Sequence, residues 1–353
     1  MSPQLSRAGV WFLRSGIQES NGGVARYYRA DLGRNHPIST EITGYAVSAF
    51  VYLHSVTRDQ RYLDRATLAA RFLTRTAWDA ASRAMPSEIG GDTYFFDCDI
   101  VVRGLLAAWR GLGDRESCDV AVALGHSMAS DFDSGDGGFH PILSLPDKIP
   151  SARDPLRWSR TATCYQLKSA MAWWDLFEAT GDARFREPYE RVLESSLHSY
   201  GNFLPGHPDP VKVMDRLHAF CYFLEGMLPC ASDSRCAAAI CDGIRQTAHH
   251  LRAIAPQFER SDVYAQLLRM RLHAGWAGVL PLDREAAALE AGKLAEFQAA
   301  SPDSREEGGY YFGRKGGAWM PFINPVSTAI ASQALELWSA GMNGGQSHRH
   351  LLI

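Results

Sequence analysis

Five carboxylates stand where polar loops give way to apolar runs: Glu41, Asp97, Asp99, Asp215 and Asp262. Paired carboxyls of this kind serve glycosidic bond cleavage, which needs one acid and one base or nucleophile. The two lie about 5–5.5 Å apart for retention and about 6.5–9.5 Å apart for inversion. Asp97 and Asp215 are the first candidates for acid and base, with Glu41 as the alternate. Asp97 follows three aromatics (Tyr94, Phe95, Phe96) and precedes Asp99 by two residues, a doubled acid beyond what one helix cap requires; Arg103 is a possible ion-pair partner for it. Around the acids lie groups suited to holding a sugar: Tyr45, Trp158, Arg160, Arg216, His218, Tyr264, Tyr311, Trp319 and Asn324. Aromatic faces stack on the apolar face of a pyranose, and Tyr27, Tyr28, Phe96 and Tyr310 extend that set. The guanidinium groups of Arg26, Arg160, Arg216, Arg260 and Arg314 suit a carboxylated or phosphorylated sugar. Each residue also has a purely structural role open to it. Ser39 and Asp99 read as N-caps, and Asn324-Pro325 as an N-cap followed by proline at the first helical position.

The elements that must position these side chains follow a repeated plan. Apolar helices alternate with amphipathic ones across polar turns that contain Asp, as in HSVTRDQRYLDRA (54–66), RGLGDRESCDVA (110–121) and EATGDARFREPYERV (178–192). Gly-Gly followed by aromatics recurs at the opposite ends, in NGGVARYY (21–28), GGDTYFF (90–96), DGGFH (136–140) and GGYYFGR (308–314). The segment 41–53 is apolar almost all round, which predicts a helix buried on most sides, whereas 60–78 is amphipathic. Inner-type helices are predicted to begin near 41, 99, 161, 214, 262 and 324. Outer partners cover 5–18, 61–77, 115–130, 184–200, 234–254 and 284–299. Six alternating pairs predict an all-α fold, an (α/α)6 barrel or toroid of helical hairpins with short β or loop segments at its mouth. One domain spans 1–345 with a tail at 346–353. The loop 133–158 is expected to overhang the mouth.

This pattern resembles the six-hairpin glycosidase superfamily of (α/α)6 toroids, over nearly the whole chain. Relatives of that shape include glycoside hydrolases, unsaturated-uronyl hydrolases, N-acylglucosamine 2-epimerases and the helical domain of uronate C5-epimerases. The resemblance implies a substrate site in the mouth formed by the loops entering the inner helices. Residues 157–182 (RWSRTATCYQLKSAMAWWDLFEATGD) are similar to the Trp-x-Arg helix start of the unsaturated-uronyl hydrolases, but Thr161-Ala162 stands where that family has Gly-Gln. The resulting expectation is a carbohydrate-active enzyme, foremost a glycoside hydrolase acting on a sugar or a uronic-acid-containing oligosaccharide. A sugar epimerase or lyase, in which His218 with Tyr45 or Tyr264 moves a proton, is the alternative. A third reading is a non-catalytic toroid that binds a glycan or a protein.

Composition narrows the partners. Lys and Arg number 36 against 39 Asp and Glu, without a basic block, which argues against nucleic acid. No apolar run reaches the length of a membrane span. The N-terminus lacks the pattern of a signal peptide, so a cytoplasmic location is expected. Seven scattered cysteines without a Cys-x-x-Cys pair read as reduced thiols. Cys230, Cys236 and Cys241 cluster, but at spacing unlike a zinc site. No phosphate-cradling glycine loop, Gly-x-Gly-x-x-Gly helix start or His-Glu-x-x-His occurs, so no cofactor and no catalytic metal are expected.

Overall fold

A computed structural model describes residues 1–152, 154, 157–255, 257–341 and 349–353. Six inner helices are α2 (Thr40–Thr57), α4 (Phe95–Leu112), α6 (Gln166–Thr180), α8 (Pro210–Gly226), α10 (Ser261–Trp276) and α12 (Pro325–Ala340). Six outer helices are α1 (Pro3–Arg14), α3 (Gln60–Phe72), α5 (Arg115–Asp131), α7 (Arg186–Ser199), α9 (Ser234–Ile254) and α11 (Arg284–Glu296). Each inner helix packs on the next, and α12 packs back on α2, so the ring closes. The inner helices are buried on most sides, whereas the outer ones bury a single face, such as Leu5, Ala8, Trp11 and Phe12 of α1.

The turn chemistry works as the repeated phrase predicts. Gly113 and Gly181 end α4 and α6 in the left-handed conformation, with φ of 71° and 73°. Asp59 and Asp233 then cap α3 and α9 by accepting backbone N–H groups. At the crossing of α2 and α4 the backbones nearly touch. A Cβ on Gly104 would lie 2.5 Å from the carbonyl oxygen of Gly44, so only glycine permits this approach.

Three small antiparallel sheets rim the mouth. One is β2 (Arg34–Asn35), β1 (Tyr28–Arg29) and β9 (Phe322–Ile323). The second is β3 (Thr93–Tyr94), β4 (Ile142–Ser144) and β5 (Ile149–Pro150). The third is β6 (Phe258–Arg260), β7 (Gly313–Lys315) and β8 (Ala318–Trp319). Strands β3, β6 and β9 lead into α4, α10 and α12, and so fix where those helices start. The 133–158 segment supplies β4 and β5 to the second sheet; its residues 153, 155 and 156 lie outside the described ones.

Within the tail predicted at 346–353, residues 346–348 lie outside the described ones, while 349–353 fold into the ring. Leu352 and Ile353 are buried. Arg103 donates to the Leu352 carbonyl at 2.8 Å and Arg269 to the Ile353 carbonyl at 2.9 Å. All seven cysteines are free thiols. No helix among the described residues is long and apolar enough to cross a membrane.

Candidate active site

An inner helix that surrounds an axis should place polar residues on one stripe at helical spacing. That stripe is present. On α8 it reads Asp215, His218, Tyr222, Glu225, on α10 Asp262, Gln266, Arg269, and on α2 Glu41, Tyr45, Tyr52. Successive turns give successive levels below the mouth.

At the top, Glu41 and Asp97 stand in the first turns of the neighbouring helices α2 and α4. Ser39 holds the start of α2 as its N-cap, and Thr40 donates from its hydroxyl to the Pro86 carbonyl at 2.7 Å. Glu41 and Asp97 line one cavity of about 350 Å3, with Arg26, Glu88 and Tyr94. Glu41 and Arg26 also line an adjoining cavity of about 310 Å3 with Tyr27, His218, Arg260, Asp262, Phe312, Phe322 and Asn324. Burial pushes the Glu41 carboxyl up to about 7, with Arg26 opposing. Burial and then the charge of Glu41 push Asp97 well above the carboxylate range, again against Arg26. Arg26 itself pairs with Glu88 at 2.9 Å and leaves its buried Nε without a partner.

His218 lies across this second cavity. Its Nδ1 is 2.8 Å from Oε1 of Gln266 and 3.4 Å from Oδ2 of Asp262. Two oxygens facing Nδ1 place the proton there, which leaves Nε2 as a free base. Burial lowers the His218 pKa to about 4, so the ring is neutral at neutral pH. Burial disfavours the charge on Asp262, but Arg260 and His218 outweigh it and hold the carboxyl below its usual range. Arg260 donates through Nε to Oδ1 of Asp262 and through a second nitrogen to Asp215, both at 2.9 Å, while lying over Phe312.

One level down, the hydroxyls of Tyr45 and Tyr222 hydrogen-bond at 2.9 Å and close the floor. Beneath them is a fully buried ion network. Lys168 donates to Glu225 at 2.7 Å, and Arg269 bonds both Glu225 and Gln333. Burial disfavours ionised Glu225, but Arg269 and Lys168 prevail and lower it to about 2.

The structure sorts the sequence candidates. Glu41, Tyr45, Asp97, His218, Asp262 and Asn324 meet at or just below the mouth. Asn324 is also the N-cap of α12, accepting from the N–H groups of Val326 and Ser327. Asp215 does not face Asp97: it is part-exposed and tied to Arg260. Asp99 is no cap and lines no part of the mouth, because α4 starts at Phe95 rather than near 99. It is fully buried, neither oxygen finds a partner of ordinary hydrogen-bond geometry, and burial raises it to about 8. Arg103 pairs with Asp175 rather than Asp97. Arg216 donates to the Phe203 carbonyl and borders a separate cavity between α6, α7 and α8. Tyr264 turns outward to Glu259, with which it hydrogen-bonds at 3.0 Å. Helix α6 starts at Gln166 rather than near 161, which leaves Trp158 and Arg160 in a short turn before it. There Trp158 packs on Tyr165, and the charge of Arg160 reaches Tyr94. Tyr311 and the exposed Trp319 stack at 5.2 Å outside the two mouth cavities. Arg314 is held by Glu259. Gln266, Tyr222, Phe312 and Phe322 line or border the site but are not among the sequence candidates. The first two follow Asp262 and His218 by four residues and could have been found by extending the axial stripe one turn. Cys241 bonds the Val279 carbonyl while Cys230 accepts from Tyr189, so the cysteine cluster faces different neighbours.

A closed ring of helical hairpins whose inner-helix starts surround a cleft of carboxylates, arginines and aromatics defines the class: the chain belongs to the six-hairpin glycosidase-like superfamily of (α/α)6 toroids. Within it, residues 25–200 match the family model of the beta-L-arabinofuranosidase GH127 catalytic domain, a stretch that carries Glu41 and Asp97. No curated protein sequence matches the chain. Among solved structures it is similar to a sugar epimerase from a ruminal bacterium, at TM-score 0.72 and 12% identity over 94% of this chain and 96% of that one. It is similar to cellobiose 2-epimerase from Spirochaeta thermophila, at 0.70 and 15% over 93% and 94%. It is also similar to a GH76 alpha-mannanase from Bacteroides thetaiotaomicron, at 0.64 and 10% over 97% and 98%.

Proposed function

We propose that this chain is a carbohydrate-active enzyme, a glycoside hydrolase whose acid and partner carboxylate are Asp97 and Glu41. One observation carries the reading: two carboxyls at the starts of adjacent inner helices line one open cavity, burial raises the proton affinity of both, and the charge of Glu41 raises that of Asp97 further. Two such groups cannot both ionise cheaply, so near neutral pH they hold one proton between them. A protonated carboxyl beside an ionised one is what glycoside cleavage uses. The first protonates the leaving oxygen; the second attacks the anomeric carbon or draws a proton from water. Arg26 keeps the ionised member charged, and Tyr27, Phe312 and Phe322 offer faces for a sugar ring. The GH127 match and the carbohydrate enzymes among the structural neighbours support the class.

The test is release of reducing ends from gluco-, manno- and arabino-oligosaccharides. Glu41→Gln and Asp97→Asn should each lower kcat by roughly 10²–10⁴, the usual worth of acid–base catalysis. Full turnover in both variants would sink the assignment.

A second reading has its own observation. His218 presents a free Nε2 across the same cavity from Glu41, whose carboxyl burial raises to about 7, and the two offer the base and acid of a sugar epimerase. Incorporation of solvent deuterium at the carbon beside a sugar carbonyl, lost in His218→Ala and without chain cleavage, would put this reading in place of the first.

A further inference from the structure

Tyr27 is a wall shared by two spaces. One is the mouth cavity beside Glu41 and His218; the other is an open groove of about 800 Å3 over the β1–β2 hairpin, bordered by Asn21, Arg34 and His36. An aromatic track joins them. Phe322 meets Tyr27 edge-on at 5.1 Å, and Tyr27 lies over the His36 ring at 4.5 Å with 30° between the planes. Phe322 and Tyr27 line the mouth, while Tyr27 and His36 line the groove. On the far side, Glu41 and Arg26 join the mouth to the Asp97 cavity. Three spaces thus adjoin in succession, with the carboxyl pair between the first two.

Much of the polar surface of the groove is already engaged. Arg29 is paired with Asp31, and Asn35 donates to Glu19 and to the Gly16 carbonyl. What stays open is specific. The exposed side chain of Arg34 makes no hydrogen bond or ion pair among the described residues, and Nδ1 of His36, covered from solvent, has no partner. A free guanidinium beside an aromatic face supplies donors for the hydroxyls and a stacking surface for the apolar face of a sugar ring. The two inner cavities, at about 310 and 350 Å3, each suit a single ring, and the groove holds more.

We propose that the hairpin groove is a distal saccharide subsite, so that the substrate is an oligosaccharide of at least three units that crosses Tyr27 on its way from the carboxyl pair. This rests on the glycoside hydrolase reading. It assigns substrate length to the hairpin rather than to the inner helices. Glycosides of a single sugar leave the groove empty and are poor substrates.

The experiment is calorimetric titration of the Glu41→Gln protein, in which cleavage is slowed, with gluco-, manno- and arabino-oligosaccharides of one to four units. In the series that binds, the third unit should tighten Kd by about tenfold. The double substitution Arg34→Ala/His36→Ala should bring the ratio of disaccharide to trisaccharide Kd back to about one, with an unchanged circular dichroism spectrum. Equal affinity for all lengths overturns the subsite, as does a length gain that survives the double substitution. Both outcomes leave the hydrolase reading to be judged by product release from the unmodified protein. No binding and no product in any series overturns the two together.

Discussion

The raised Glu41 carboxyl costs the fold stability, and Glu41→Gln should recover it in a pH-dependent way. Below about pH 4.5, the ordinary value for Glu, the folded and unfolded states both hold the proton, and the substitution changes little. As pH rises from 4.5 to about 7 the unfolded chain releases its proton while the folded protein keeps it, so the native state loses stability relative to the unfolded one. Above about 7 the loss is complete. The gap of about 2.5 pH units, at about 1.36 kcal/mol each, gives roughly 3.4 kcal/mol. Unfolding entropy of about 2.1 cal/mol/K per residue over 353 residues is about 0.74 kcal/mol/K, so the midpoint should rise by about 4–5 °C. Removing the charge also relieves Asp97, which adds in the same direction. The assay is calorimetry of both proteins from pH 4.5 to 8.5. Equal midpoints at pH 8 would refute the desolvated pair, and an offset independent of pH would assign the effect to packing.

Three further outcomes follow from the same geometry. Because the partner carboxylate must be ionised, kcat/KM should rise as pH rises through about 7, and this limb should vanish from the residual activity of Glu41→Gln. Gly104→Ala would push its Cβ against the Gly44 carbonyl and force α2 from α4, so a loss of roughly 1–3 kcal/mol should come with a kcat defect, since these helices carry Glu41 and Asp97; denaturant unfolding and kinetics measure the two. Removing residues 349–353 strips carbonyl partners from the buried Arg103 and Arg269 and uncovers two apolar side chains, so stability should drop by several kcal/mol by chemical denaturation, and an unchanged midpoint would deny the tail a structural role.

The ring was legible in the sequence because its two signals are local. Inner and outer helices differ in how many faces are apolar, and each Gly-Asp or Arg-Asp turn marks a stop followed by a cap. The twelve helices therefore match in number and type. Three helix starts did not: α4, α6 and α8 begin at 95, 166 and 210 rather than near 99, 161 and 214. Those errors decided the site. A start four residues earlier turns Asp99 from a mouth cap into a buried acid, and a start five residues later leaves Trp158 and Arg160 in a loop. Strand β3 sets where α4 begins by pairing with β4, more than 45 residues away, and no local pattern encodes that pairing.

Which acid meets which was hidden for a related reason. Sequence alone pairs Asp97 with Asp215 because both are acids near inner-helix starts. Charge pairing settles the matter in three dimensions. Arg260 lies beside α8 and draws Asp215 and Asp262 into ion pairs, so neither is free to share a proton. Arg26 pairs with Glu88, and no hydrogen bond or ion pair ties down Glu41 or Asp97 among the described residues. The carboxyls left unpaired are the ones whose proton affinity burial can raise. Deeper in the ring the logic reverses: Lys168, Glu225, Arg269 and Gln333 bond one another, and such an ion network holds the inner helices in one register rather than doing chemistry. Lys168→Met would leave Glu225 buried with half its partners and should cost about 3–5 kcal/mol by chemical denaturation, whereas a neutral outcome would show that the axial charges are dispensable to the fold and reopen a role for them in the chemistry above.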